Sequence, residues 1–442
     1  MRFYTRKSET ISIIILCIGL SILLVGLVSL ALTPPYSRDA LIHHLAVPKL
    51  WIKKGIFCEI PGAVFSYYPM NVELLYFLCL LIGSDILPKV IHLCFGLGTG
   101  LIIYFYVKPK LGKGYAILGL LLWFSTPIVI YVGPIAYIDL GLTFFIMGAL
   151  FFLLYLMEER VNSFISLILF SLFTGLALGT KYTAFIILPF FTGVLFIVIV
   201  RRYGNVKALK YTAIFLILSL FIASPWYIKN LYLTGNPLYP FSTPLKVCNT
   251  QREKSESLGN LPKGLHKERD FHSTQIGVGR TSLLMRRVLY KENMLQILSI
   301  PLRIFWQGKD NDPQFFDGVL NPIFLIFLPF FWIDPTRRNQ LFIIFFFAWF
   351  FIFMVFFLQN MRIRYIIPAL PPLVILNVFG IRNIIKVKNK LVTGFVVILI
   401  IILVGMNFHY LYTRLNAIKP WLYLGSYETR EQFLERLVGS YR

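Results

Sequence analysis

Apolar runs close to twenty residues long recur along almost the whole chain, and that recurrence restricts the fold more than any motif does. Inside the hydrocarbon core no water satisfies backbone N–H and C=O groups, so each run of about 20 residues is predicted to be a helix. With 57% hydrophobic and 14% charged residues among 442, a soluble globule would lack a water-compatible exterior. The expected class is an all-α polytopic membrane protein. Its first run, 11–32, is longer than the apolar part of a cleavable signal and lacks a small-residue cleavage site, so residues 1–32 read as a signal anchor.

Lys and Arg in short loops mark the cytoplasmic side. Arg2, Arg6 and Lys7, then Lys108 to Lys113, Arg201 to Lys210, Arg337 with Arg338, and Arg382 to Lys390 all fall on one side if the spans are 11–32, 87–107, 115–131, 140–157, 163–180, 182–200, 209–224, 319–333, 340–358, 364–380 and 391–409. That threading gives about eleven crossings. The apolar segment 70–83 is left out, because counting it would move Lys108 to Lys113 outside, and its length suits an interfacial helix. The expected organisation is a first extracytoplasmic loop at 33–86 with interfacial helices, a bundle at 87–224, a large outer loop at 225–318, further spans at 319–410 and a short outer tail at 411–442. Within the large loop, 246–279 is polar enough to be mobile, and 283–306 has the pattern of a helix lying on lipid headgroups with Arg286, Arg287 and Arg303.

The net charge of +23 is dispersed among loops, so anionic lipid rather than nucleic acid is the expected partner. Cys17, Cys58, Cys79, Cys94 and Cys248 form no metal spacing, and Cys58 with Cys248 is the one disulfide pairing left open. Gly96, Gly98 and Gly100 follow no strand and read as helix-packing positions, not a nucleotide fingerprint.

Asp39 opens an amphipathic stretch, 39–54, just after the first span. On an α-helix His43 shares its face, which makes the two a proton-accepting unit; an N-cap role for Asp39 is the alternative. Asp139, after Gly133, Pro134 and Tyr137, opens another span on the same side, either as a cap or as an acid facing a substrate or a divalent metal ion shared with Asp39. Lys181 sits between two apolar spans, either snorkelling to headgroups or meeting a lipid phosphate. Arg362, Arg364 and Tyr365 open a late span on the outer side, against the positive-inside trend, which points to a bound anion.

In the order of these features, over roughly residues 10 to 410, the chain resembles the C-type membrane glycosyltransferase superfamily, in particular the branch of protein O-mannosyltransferases and the aminoarabinose transferase of lipid A modification. The resemblance rests on an acidic first loop at Asp39, a Tyr137-x-Asp139, a Gly179-Thr180-Lys181 between spans, and an Arg364-Tyr365-x-x-Pro368. It implies a sugar donor on a polyprenyl phosphate, with a lipid, protein or glycan as acceptor. It also implies Asp39 as general base in an inverting transfer, Lys181 and Arg364 neutralising the leaving phosphate, and Asp139 with Tyr137 shaping an acceptor or metal pocket. The chain departs from the family where Ala40 follows Asp39 and where 66–73 has no aligned acid or lysine, with Glu73 the substitute for the acceptor or metal pocket from one turn away, which leaves metal use undecided. A short tail stands where several relatives carry a large outer domain. A transporter or lipid flippase, and a surface-polysaccharide ligase or polymerase, are the competing readings.

Overall fold

The computed structural model describes residues 2–55, 60, 63–158, 163–241, 278–333, 338–387 and 389–439. Among these residues the secondary structure is helical throughout, without a strand. Cys58 and Cys248, and nearly all of 246–279, lie outside the described residues.

In chain order the N-terminal part comprises α1 (Arg2–Ala31), a π-helical turn (Ala40–His44), α2 (Ala46–Lys54), α3 (Asn71–Leu81), α4 (Leu87–Leu111), α5 (Lys113–Ser125), α6 (Pro127–Val132), α7 (Asp139–Leu156) and α8 (Ser163–Leu178). A 3-10 turn (Tyr182–Ile186) leads into α9 (Ile187–Tyr203), followed by α10 (Asn205–Thr234). Next among the described residues come α11 (Val278–Val288), α12 (Met294–Leu298), α13 (Ile300–Gln307), α14 (Ile323–Ile326), a 3-10 turn (Leu328–Ile333) and α15 (Arg338–Leu358). The chain closes with a 3-10 turn (Ile363–Ala369), α16 (Leu370–Ile385), α17 (Lys390–Ile418), α18 (Pro420–Leu424) and α19 (Arg430–Val438).

Eight helical stretches among the described residues are long and apolar enough to cross a membrane. Three more of the expected spans are shorter or broken. Thr126, extended at ψ 124 before Pro127, splits the 115–131 run into α5 and α6, and Pro322 and Pro329 confine the 319–333 run to two short turns. The third, α8, is a single uninterrupted helix of 16 residues. The protein is an integral multi-pass membrane protein. Its lipid-facing surface is apolar, as on Ile14, Ile15, Ile18 and Ile22 of α1 and Phe395, Ile398, Ile401 and Ile402 of α17, all exposed.

Close approach of α4 to its neighbours depends on its small residues: a Cβ on Gly98 would lie 2.6 Å from Phe144, and one on Gly100 2.9 Å from Phe124. The segment 70–83 forms α3, 11 residues or about 16 Å long. Asn71 N–H bonds Gly179 O at 2.9 Å, and Asp85 beyond its other end pairs with Arg430, so both ends belong to one end of the bundle.

The 283–306 stretch differs from expectation. It is three short helices, broken at 289–293 and at Ser299, and Arg286 and Arg303 turn inward while Arg287 stays exposed. Arg286 and Arg303 both reach Glu292, at 3.1 and 3.0 Å, and Arg286 stacks on Phe316 at 4.4 Å, while Leu284, Met285, Leu295 and Leu298 are exposed. The single carboxylate Glu292 holds both guanidiniums, which outweighs their pull toward a charged surface.

Candidate active site

Two ends of the bundle differ in chemistry. At one, Lys110 pairs with Glu158 at 3.1 Å and Arg202 donates to the Leu156 and Met157 carbonyls. The other gathers the C-terminal end of α1, the N-terminus of α7, the Gly179–Lys181 turn and the start of the 363–369 turn, and there the candidate residues meet.

The loop carrying Asp39 is fixed by a residue the sequence reading passed over. Lys89, in the first turn of α4, is buried, and its Nζ donates to Leu30 O at 3.0 Å, Thr33 O at 2.7 Å and Thr33 Oγ1 at 2.9 Å. It thereby satisfies carbonyls that the C-terminus of α1 leaves without helical partners. Lys89 also lies over the Tyr36 ring at 5.5 Å, and that ring meets Phe433 of α19 at 6.3 Å. Burial pushes the Tyr36 hydroxyl up to about 12, against the pull of Arg414. One residue on, Ser37 Oγ hydrogen-bonds Tyr137 Oη at 2.7 Å.

Asp39 makes no capping hydrogen bond to the turn that follows it, so the N-cap reading falls. Its Oδ2 accepts from Arg364 Nη1 at 2.6 Å instead, across 325 residues of chain. Burial raises the Asp39 carboxyl, but the charge and hydrogen bond of Arg364, with His43 and His44, outweigh burial and hold it below the usual carboxylate range. Asp139 and Lys181 form the second pair, at 2.9 Å, with Asp139 almost fully buried. Tyr365 lies between the pairs: Lys181 stands over its ring at 4.6 Å and Arg364 at 5.2 Å. Arg364 also stands over Tyr137 at 5.0 Å, and its Nε is buried without a partner among the described residues. Burial raises the Tyr137 hydroxyl, against the pull of Arg364. Asp39, Asp139, Tyr137, Lys181, Arg364 and Tyr365, drawn from four stretches of chain, thus form one cluster.

The remaining sequence candidates are placed differently. The Asp39–His43 unit assumed an α-helix, but the turn is π-helical, with Leu45 N–H bonding Ala40 O at 2.9 Å. His43 stacks on Phe65 at 3.5 Å between ring centres. Glu73 is buried and faces His44 Nδ1 at 2.8 Å, and Arg362 pairs with Asp317 at 3.5 Å. The divalent metal ion does not fit: among the described residues no three His, Cys, Asp or Glu side chains are grouped to hold one, and Asp39 and Asp139 each already face a cation. Beside the cluster lies a group absent from the sequence reading, in which Asp310 accepts from the Tyr410 hydroxyl and Arg414 stands over Tyr131 at 4.7 Å.

Residues 72–228 match the family described as dolichyl-phosphate-mannose-protein mannosyltransferase. Among solved structures, ArnT from Cupriavidus metallidurans in the apo state is 15% identical, with a TM-score of 0.53 over 83% of this chain and 59% of that one. The same protein bound to undecaprenyl phosphate is 14% identical, with a TM-score of 0.55 over 87% of this chain and 62% of that one. The archaeal oligosaccharyltransferase AglB from Archaeoglobus fulgidus, in complex with an inhibitory peptide and a dolichol-phosphate, is 12% identical, with a TM-score of 0.50 over 90% of this chain and 55% of that one. This chain therefore spans less than two thirds of the length of each of these structures. No curated protein matches it.

Proposed function

We propose that this chain, whose fold is that of the C-type membrane glycosyltransferases, transfers a sugar from a polyprenyl-phosphate donor to an acceptor hydroxyl on the extracytoplasmic side of the membrane. The observation that carries the reading is the pair of cations, Arg364 and Lys181, flanking Tyr365 at one end of the bundle, with the buried Nε of Arg364 lacking an acceptor among the described residues. A buried unpaired donor is costly, and a phosphate oxygen is the acceptor its planar fork suits. Two of the solved structures with this fold were obtained with polyprenyl phosphates, undecaprenyl phosphate in one and dolichol-phosphate in the other. That the charges gather at one end instead of mid-depth favours group transfer over ion-coupled transport.

In the proposed reaction the acceptor oxygen attacks the anomeric carbon, the bond from that carbon to the phosphate oxygen breaks, and the configuration inverts. Asp39 takes the acceptor proton as general base, while Lys181 and Arg364 neutralise the phosphate that leaves. Before the donor arrives, the charges of these four groups cancel: Asp39 is the counterion of Arg364 and Asp139 that of Lys181. A donor phosphate that draws the Arg364 guanidinium to itself removes the charge that lowers the Asp39 carboxyl, so donor binding makes Asp39 a stronger base. Ser37, bonded to Tyr137, and the Lys89 hub hold the Asp39 loop against this exchange. The test is donor consumption by purified protein supplied with defined polyprenyl-phosphate sugars, wild type against Asp39→Asn. Turnover by wild type and none by the variant supports the reading; equal turnover by both removes Asp39 as the base.

A further inference from the structure

The wall of the site holds a proton-handling pair that the mechanism above leaves unused. The π-turn closes i→i+5 rings, so the residue returning beneath Asp39 is His44 as well as His43. Both histidines help lower the Asp39 carboxyl, His43 ahead of His44. His43 is packed against Phe65, but His44 faces the cluster, its ring 5.7 Å from that of Tyr137.

Glu73 Oε1 stands 2.8 Å from His44 Nδ1, and Glu73 is buried on α3. In the tautomer whose Nδ1–H donates to Glu73, the Nε2 lone pair is left to receive a proton. The other oxygen, Glu73 Oε2, is buried with no hydrogen-bond partner among the described residues, so His44 is the side chain that holds this carboxyl group in the contacts seen. An imidazolium formed at His44 meets the Glu73 carboxyl group at hydrogen-bond distance. His44 itself is partly open, with 16% of its side chain exposed, which leaves a path for the proton to water.

Resting on the glycosyl-transfer reading above, we propose that His44, oriented by Glu73, is a relay residue that takes from Asp39 the proton released by the acceptor. The proton passes from the acceptor oxygen to Asp39, then from Asp39 to His44 Nε2, and finally to water. Asp39 returns to carboxylate and re-forms its pair with Arg364 as the phosphate departs. His44 acts after the bond-forming step, so its loss slows the recovery of the enzyme and not the first transfer.

The experiment compares wild type, His44→Gln, His44→Ala, Glu73→Gln and Asp39→Asn in single-turnover and steady-state assays with undecaprenyl-phosphate-linked sugar. His44→Gln keeps a side chain able to bond Glu73 but cannot take the proton, so it is expected to keep its single-turnover rate and lose at least about tenfold in steady-state turnover. Imidazole in solution restores His44→Ala, and undecaprenyl phosphate binds all His44 and Glu73 variants as it binds wild type. Unchanged steady-state turnover in His44→Gln overturns the relay. So does a parallel loss of the single-turnover rate and of undecaprenyl phosphate binding, which marks a packing role. Asp39→Asn serves as the separate control: full activity there removes the transfer mechanism itself, whereas an inactive Asp39→Asn beside an unimpaired His44→Gln removes only the relay.

Discussion

Asp39→Asn should separate donor binding from turnover, with opposite signs. The Arg364–Asp39 contact is 2.6 Å long, and the two side chains are 17% and 30% exposed. A hydrogen bond to a charged group contributes about 1.5–3 kcal/mol, and the partial exposure reduces this to about 1–2 kcal/mol. A phosphate binding to Arg364 must displace that interaction. Asparagine leaves the guanidinium without its counterion, so undecaprenyl phosphate should bind the variant about 5- to 30-fold more tightly. Turnover should fall by about 10²- to 10⁴-fold, the usual contribution of a general base. Equilibrium titration of the purified protein in nanodiscs with undecaprenyl phosphate, beside a donor-consumption assay, reads both. Weaker or unchanged binding in the variant would refute the exchange of Arg364 between carboxylate and phosphate.

Other perturbations test the surroundings of the same pair. Lys181→Met strands the buried Asp139 carboxylate and should destabilise the protein by about 3 kcal/mol, whereas Lys181→Met with Asp139→Asn should recover most of the melting temperature without recovering donor binding. The Asp39 carboxyl lies below its unfolded value of about 3.9, so its stabilisation is complete above that pH and disappears as pH falls through the lower folded value. The melting-temperature gap between wild type and Asp39→Asn should therefore be constant above about pH 5 and close in more acid solution. Lys89→Met leaves the carbonyls of Leu30 and Thr33 without their donor and should cost about 1–3 kcal/mol, read by thermal unfolding, with a fall in turnover as the Asp39 loop loosens. Gly179→Ala places a Cβ 2.2 Å from Asn71 Nδ2 and should cost about 1–3 kcal/mol in the same assay.

What the chain discloses by itself follows from the range of the interactions involved. Span positions are local, since the bilayer demands apolar runs of a set length, and the long helices fall where the runs lie. The packing role of Gly98 and Gly100 is legible for the same reason. Asp39, Asp139, Lys181 and Arg364 stand out singly as charges at span ends, but their pairing does not: Asp39 and Arg364 are 325 residues apart, and no periodicity connects them. The spacing that puts His43 on the face of Asp39 is that of an α-helix, and nothing in Ala40–His44 announces the π-turn that brings His44 round as well. Lys89 carried a signal that was not used, because a lysine inside an apolar run must find oxygen partners or be excluded. The tail offered no such mark, yet Phe433 of α19 is fully buried and rests on Tyr36, one residue before Ser37 and three before Asp39.

The most direct measurement is an experimental structure of the protein with undecaprenyl phosphate bound. Phosphate oxygens within about 3 Å of both Arg364 and Lys181, with Arg364 Nη1 drawn away from Asp39 Oδ2, are the expected result. A phosphate seated elsewhere, with both ion pairs intact, would contradict the account.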